Sequence, residues 1–257
     1  MSRLNLLALS LFAVACRGEG GIVNIGDSDS DSDAAPQDDY ANAVLRILTP
    51  SSGAFLALEE PHAFTAEVVD EAGAPLDFTD VAWTSSAQAT WAPIGLNITD
   101  KPLDVGLHDL TAQAALPNGD RLAYTIGGVR VQSWYAGTYA GLFNADVVTN
   151  GIAVVCGGAA LVYVDVRGEK ATGGAECTVG FNGIDIPVAF VFDLDNDAGD
   201  LSGVANVDFG FFEVPLDATG SLDRVSGTAE IAFGGDVYGF ATIDGTVDAD
   251  RVSLDVP

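Results

Sequence analysis

Basic residues are scarce. Ten Lys and Arg stand against 37 Asp and Glu over 257 residues, a formal charge of −27. A surface this negative repels nucleic-acid phosphates and anionic lipid headgroups, so nucleic-acid binding is excluded. Histidine is scarcer still: only His62 and His108 occur, both on expected strands of the N-terminal half. General acid–base catalysis usually draws on His, or on a carboxylate whose pKa is shifted in a cleft. The stretch from Trp134 to Pro257 has no His from which to build a Ser-His-Asp arrangement, and no Gly-x-Ser-x-Gly elbow precedes a helix. With 37 acids, pairs at glycosidase spacing carry no signal. The expectation is a non-enzymatic protein without a cofactor, and hydrolase activity is disfavoured. Only three cysteines are present, and the two beyond Cys16 have no nearby His to complete a zinc site. Long apolar runs are missing too, apart from Leu4 to Ala15, which Asn5 and Ser10 interrupt. About a dozen residues rising about 1.5 Å each fall short of a hydrocarbon core of about 30 Å, so this run reads as the apolar part of a signal peptide.

Ala13-Val14-Ala15-Cys16 closes that run. Small residues ahead of a Cys resemble the lipobox of bacterial lipoproteins, with Ala13 where Leu is commonest. The resemblance implies that residues 1–15 are removed and that Cys16 carries the lipid, making the membrane a partner through several acyl chains. One chain binds only marginally, whereas several anchor firmly, at about 0.8 kcal/mol per buried methylene. The other reading is an ordinary cleavage site that leaves Cys16 a free thiol. Arg17 follows the Cys, where in lipoproteins of double-membraned bacteria an Asp commonly signals inner-membrane retention. The resemblance therefore points to an outer-membrane lipoprotein of the cell envelope, facing the periplasm or the outside.

Residues 16–43 form the expected linker. Its centre, Asp27-Ser-Asp29-Ser-Asp31-Ser-Asp33, has carboxylates that repel one another and almost no apolar side chain to bury, so it reads as an extended, disordered tether. A flexible strip of aspartates lacks the fixed six to eight oxygens, roughly, that Ca²⁺ requires. In an exported chain, Cys156 and Cys177 are expected to pair, closing a loop of about 20 residues. Two separately buried thiols are the alternative.

Glycine is abundant and Lys nearly absent, while Val, Thr, Phe and Tyr recur in short runs, a bias toward strands and tight turns, so the fold class reads as all-β. Over residues 44–132 strands are expected at Val44 to Leu48, His62 to Val69, Val81 to Ser85, Gly106 to Ala114 and Arg121 to Val131. Turns are expected at Pro50 to Gly53, Asp70 to Gly73 and Pro117 to Asp120. The segments Trp83-Thr84-Ser85 and Gly106-Leu107-His108 through Ala114 resemble bacterial immunoglobulin-like domains. That resemblance implies a β-sandwich with Trp83 filling the core, His108 at the corner position usually held by Tyr, and Leu110 where antibody domains have a Cys.

Residues 133–257 read as an antiparallel meander that closes as a barrel or folds as a sandwich. Strands are expected at Tyr135 to Val148, Ala159 to Val166, Ala171 to Phe181, Ile184 to Leu194, Gly203 to Phe212, Val225 to Phe233, Asp236 to Ile243 and Arg251 to Val256. Thr172-Gly173, Ser202-Gly203 and Ser226-Gly227 repeat a hydroxyl-glycine element that suits bends in curved strands. Asp223-Arg-Val-Ser226 recurs as Asp250-Arg-Val-Ser253. Asp193, Asp195 and Asp197 look like the start of a calcium loop. Ala198 and Val204 then stand where the loop's Gly and bidentate Glu belong, so a polar hairpin turn is the plainer expectation. Phe209-Gly-Phe-Phe212 and Val188 to Phe192 supply aromatic mass, either as core or as the lining of an apolar pocket. The preferred function is a lipid-anchored binding or adhesion module whose partner is an envelope protein, a glycan or a small apolar ligand. The alternative is a carrier holding an apolar molecule inside the C-terminal barrel. An apolar cavity along the barrel would favour the carrier, and a filled core with exposed aromatics the binding module.

Overall fold

Alternating apolar and polar residues, punctuated by glycine turns, give the described residues fifteen strands and no helix. The structure is a computed structural model, and it describes residues 40–257 apart from 100 and 182. Cys16 and the apolar run before it lie outside the described residues.

The first seven strands form two facing sheets. They are β1 (Val44–Thr49), β2 (Phe55–Ala57), β3 (Phe64–Val69), β4 (Val81–Ser85), β5 (Asn97–Ile98), β6 (Gly106–Ala115) and β7 (Arg121–Gln132). One sheet has the order β1-β3-β5 and the other β2-β7-β6-β4, with β2 parallel to β7 and the other pairs antiparallel. Inward positions alternate along β4 and β6, burying Val81, Trp83, Leu110, Ala112 and Ala114. Trp83 fills the space between the sheets, 6.2 Å from the Phe64 ring, and its indole N–H donates to Gly95 O at 2.8 Å. The five strands read from the sequence are all present. The two others, β2 and β5, have three and two residues.

The remaining strands are β8 (Gly137–Thr149), β9 (Ile152–Val164), β10 (Lys170–Phe181), β11 (Ile184–Asp197), β12 (Asp200–Asp208), β13 (Glu213–Asp223), β14 (Thr228–Val237) and β15 (Ala241–Ser253). Each pairs antiparallel with the next, and β15 returns to β8, so the sheet closes on itself as an eight-stranded barrel. Closure requires strong coiling, and glycine permits it where backbones meet. A Cβ on Gly173 would overlap the Leu161 carbonyl of the neighbouring strand, and one on Gly203 would overlap that of Asp193. Two of the three hydroxyl-glycine elements thus mark bends in strands. The third, Ser226-Gly227, is a turn in which Gly227 has φ 71°.

Several expected boundaries shift. β9 begins at Ile152, β11 runs on to Asp197, and β13 occupies a stretch read as connection. Expected strands at Asp236 to Ile243 and Arg251 to Val256 are replaced by the end of β14, a turn, and one long β15.

Direction along the strands defines two barrel ends. The proximal end carries the connections 165–169, 198–199 and 224–227. The distal end carries 150–151, 182–183, 209–212 and 238–240. The sandwich joins the proximal end. Trp134 stacks near Phe55 with ring centroids 5.0 Å apart, and its indole N–H donates to the Glu60 carboxylate at 3.2 Å. Glu59 accepts the Ser133 hydroxyl and the Trp134 backbone N–H. Arg130 donates to Asp255 at 2.6 Å, and Gln132 donates to Leu254 O at 3.1 Å. Because β1 and β7 both run toward this joint, Tyr40 lies at the far end of the sandwich. The distal barrel tips are therefore at the opposite end of the strand path from Tyr40.

Candidate functional site

The barrel interior is occupied by its own side chains. Inward positions place Tyr139, Phe143, Phe190, Phe192, Ile231, Phe233 and Ile243 in one buried cluster. The rings of Phe143 and Phe190 lie 5.2 Å apart, those of Phe190 and Phe233 5.3 Å, and those of Phe192 and Phe233 5.7 Å. Val188 to Phe192 therefore supply core. The Tyr139 hydroxyl donates to Tyr135 O at 2.8 Å near the proximal end, and burial raises its pKa against the opposing pull of Arg251. Grooves on the barrel are open features of its outer wall, such as that lined by Thr219, Ser221, Glu230 and Asp248.

The second aromatic group sits elsewhere. Phe209 to Phe212 form the connection between β12 and β13, beyond the last inward position of either strand, while Tyr238 to Phe240 connect β14 to β15. Phe211 is 74% exposed, Tyr238 71% and Phe240 53%, with Phe209 and Phe212 half-buried beneath them. Phe212 is the hub. Its ring lies 4.8 Å from those of Phe209 and Phe211, 6.2 Å from Tyr238 and 6.1 Å from Phe240. Ile152 and Ile184 are exposed at the other two distal hairpins. All four distal tips thus carry apolar side chains into solvent.

Tyr238 is notable for its backbone. It has φ 52° and is followed by Gly239 at φ 77°, the two left-handed positions of a tight hairpin turn. Asn or Gly meets this geometry most readily, whereas a side chain with an ordinary Cβ costs about 1–2 kcal/mol there. Asn150-Gly151 at the adjoining tip uses the favoured pair. An exposed aromatic residue held in the unfavoured conformation is the pattern expected of a displayed group.

The residues singled out from the sequence fall as follows. Cys156 and Cys177 are bonded, with Cα atoms 5.8 Å apart. They lie just past the point where the β9–β10 ladder, running from Val164/Ala171, ends at Ala160/Ala175. Asp193, Asp195 and Asp197 lie at the end of β11, leading into the tight hairpin turn at Ala198-Gly199, because pairing of β11 with β12 extends to Asp197/Asp200. They point outward at alternate positions, and Lys170 reaches Asp193 at 3.8 Å and Asp195 at 2.6 Å. The Asp195 contact raises the Lys170 pKa. Among the described residues, no three His, Cys, Asp or Glu side chains converge as a metal site.

His108 is fully buried. One ring nitrogen, Nε2, donates to Asp104 O at 2.8 Å, so in the neutral ring Nδ1 accepts the Ser85 hydroxyl at 2.7 Å. The two bonds tie β6 both to β4 and to the backbone four residues upstream. His62 precedes β3, with its Nε2 2.7 Å from Ala57 O. Glu213 is exposed at the start of β13. The chain matches none of the known protein-family models and no curated protein.

Proposed function

We propose that this is a lipid-anchored envelope or surface protein that binds rather than catalyses, with the distal barrel tips as its binding face. The observation that carries the reading is the exposed cluster of Phe211, Tyr238 and Phe240 around Phe212. A barrel filled by Phe143, Phe190, Phe192 and Phe233 argues against the carrier alternative, which needs that space for an apolar molecule. The N-terminal sandwich, read as immunoglobulin-like, acts as a spacer. With lipid on Cys16 and the acidic linker next, the tips would project away from the anchored membrane, because they lie at the end opposite Tyr40. The outer membrane is the proposed location, following the lipobox and Arg17.

The test uses the full chain as bait in detergent-solubilised envelope, alongside a variant carrying Phe211→Ser, Tyr238→Ser and Phe240→Ser. Native mass spectrometry identifies what is retained. Components held by the wild type and released by the variant are expected. Identical retention by both refutes the assignment of the tips.

A further inference from the structure

We propose that the aromatic rim receives a basic protein segment, one that interleaves Lys or Arg with apolar residues. This inference rests on the reading of the tips as a binding face and adds the chemistry of the partner.

Charge is distributed unevenly along the barrel. Its four basic residues beyond Trp134 are Arg167, Lys170, Arg224 and Arg251. Arg167 and Arg224 lie in proximal connections, Lys170 begins β10 at that end, and Arg251 donates to Trp134 O beside the joint. The distal end has acids alone. Asp185 follows Ile184 at one tip, and Asp208 and Glu213 bracket the Phe209 to Phe212 connection. Asp236 precedes Val237 and Tyr238 at the next tip. Asp208 accepts the Gly210 N–H at 2.6 Å and Asp236 accepts the Gly239 N–H at 2.5 Å, so both carboxylates are fixed beside the rings.

This pairing of ring faces with fixed negative charge selects among partners. Entry into a bilayer would carry the carboxylates toward the headgroups, and anionic lipid would be repelled. A neutral glycan uses the rings and leaves the charge idle. An ammonium or guanidinium group uses both, its charge resting over an exposed ring face with the carboxylates alongside. Apolar side chains between the cations would cover Phe211 and Phe240, and complementary charge would steer the encounter.

The experiment measures fluorescence anisotropy of a labelled synthetic peptide alternating Lys and Leu, titrated with the full chain. A Glu-Leu peptide, phosphatidylcholine vesicles and a glycan array are the comparison probes. Two variants are used. The triple ring variant above leaves net charge unchanged, and its side chains lie outside the barrel core. Asp185→Asn with Glu213→Gln removes charge and keeps the rings.

The Lys-Leu peptide should bind the wild type and weaken by about tenfold or more as salt rises from roughly 50 to 200 mM. The ring variant should weaken it by at least about tenfold at low salt, and the carboxylate variant should flatten the salt dependence. The Glu-Leu peptide should not bind. Equal affinity for wild type and ring variant means attraction to acidic surface in general, and overturns the proposal. Ring-dependent binding of vesicles, glycans or the Glu-Leu peptide in place of Lys-Leu also overturns it, while leaving the tips as a binding face. Loss of no probe in the ring variant, together with unchanged envelope retention, overturns both readings.

Discussion

Replacing Cys156 and Cys177 together with alanine removes the crosslink between β9 and β10 beyond Ala160/Ala175, where their ladder ends. The residues are 21 apart in sequence. Closing a loop of that length restricts the unfolded chain by about 3 kcal/mol in the chain-entropy account. If the barrel of roughly 120 residues unfolds as one unit, its unfolding entropy is about 250 cal/mol/K, and the melting temperature should fall by roughly 12 °C. Cys156 is buried, so alanine also leaves a small void worth about 1 kcal/mol. Reduced wild type separates these effects, since it loses the bond and keeps the sulfur atoms. Calorimetry of oxidised, reduced and double-variant protein should give three descending melting temperatures. Amide exchange should quicken over residues 152–159 and 176–180. Labelling the non-reduced, denatured protein should modify neither thiol. Equal melting temperatures for oxidised and reduced protein, or stoichiometric labelling of either cysteine, would refute the reasoning.

Cys16→Ser should leave the chain unacylated and outside the membrane fraction, as fractionation and intact mass would report; continued membrane partitioning would sink the anchor. His108→Ala removes a buried ring, takes from the Ser85 hydroxyl the acceptor for its proton and from Asp104 O its donor, so a loss of about 3 kcal/mol in urea unfolding is expected, against about 1 kcal/mol for Ser85→Ala. Asp223 accepts the backbone N–H groups of Ser226 and Val225, which lower its pKa. Its stabilising contribution is therefore present at neutral pH and lost as pH falls through its folded-state value. Wild type should exceed Asp223→Ala in stability at neutral pH and converge with it in strong acid, and a gap that persists in acid would contradict this.

Much of the fold was legible because a half-buried strand writes its faces as alternation, as in Phe64 to Val68 and Leu110 to Ala114. What escaped did so for local reasons. β2 and β5 are too short to show a period. β13 contains Pro215 and Gly220, which read as turn. Pro215 is tolerated because the β13–β14 ladder begins only at Asp217, leaving one side of the strand open there. The turn at Tyr238-Gly239 was hidden because Tyr stands where Asn would have announced it. That same substitution concealed the candidate site: Asp236 to Ile243 reads as strand, which assigns Tyr238 and Phe240 to the wall. Their meeting with Phe212 depends on the β13–β14 pairing that sets two tips side by side, which the pattern of no single strand encodes.

The pairing of β15 with β8, from Thr149/Ala241 to Thr138/Ser253, carries a consequence for how the chain reaches this state. β8 is made first among the barrel strands and β15 last, so during synthesis the free edge of β8 waits for a partner that does not yet exist. Every other ladder in the barrel joins neighbours in sequence and forms locally, whereas this one brings together the two extremes of the meander and must await the finished chain. Until then the half-built barrel is an open sheet with an apolar face, the species most prone to pair with another copy. The last strand thus acts as a latch: losing it would leave the whole barrel unclosed rather than trim one edge.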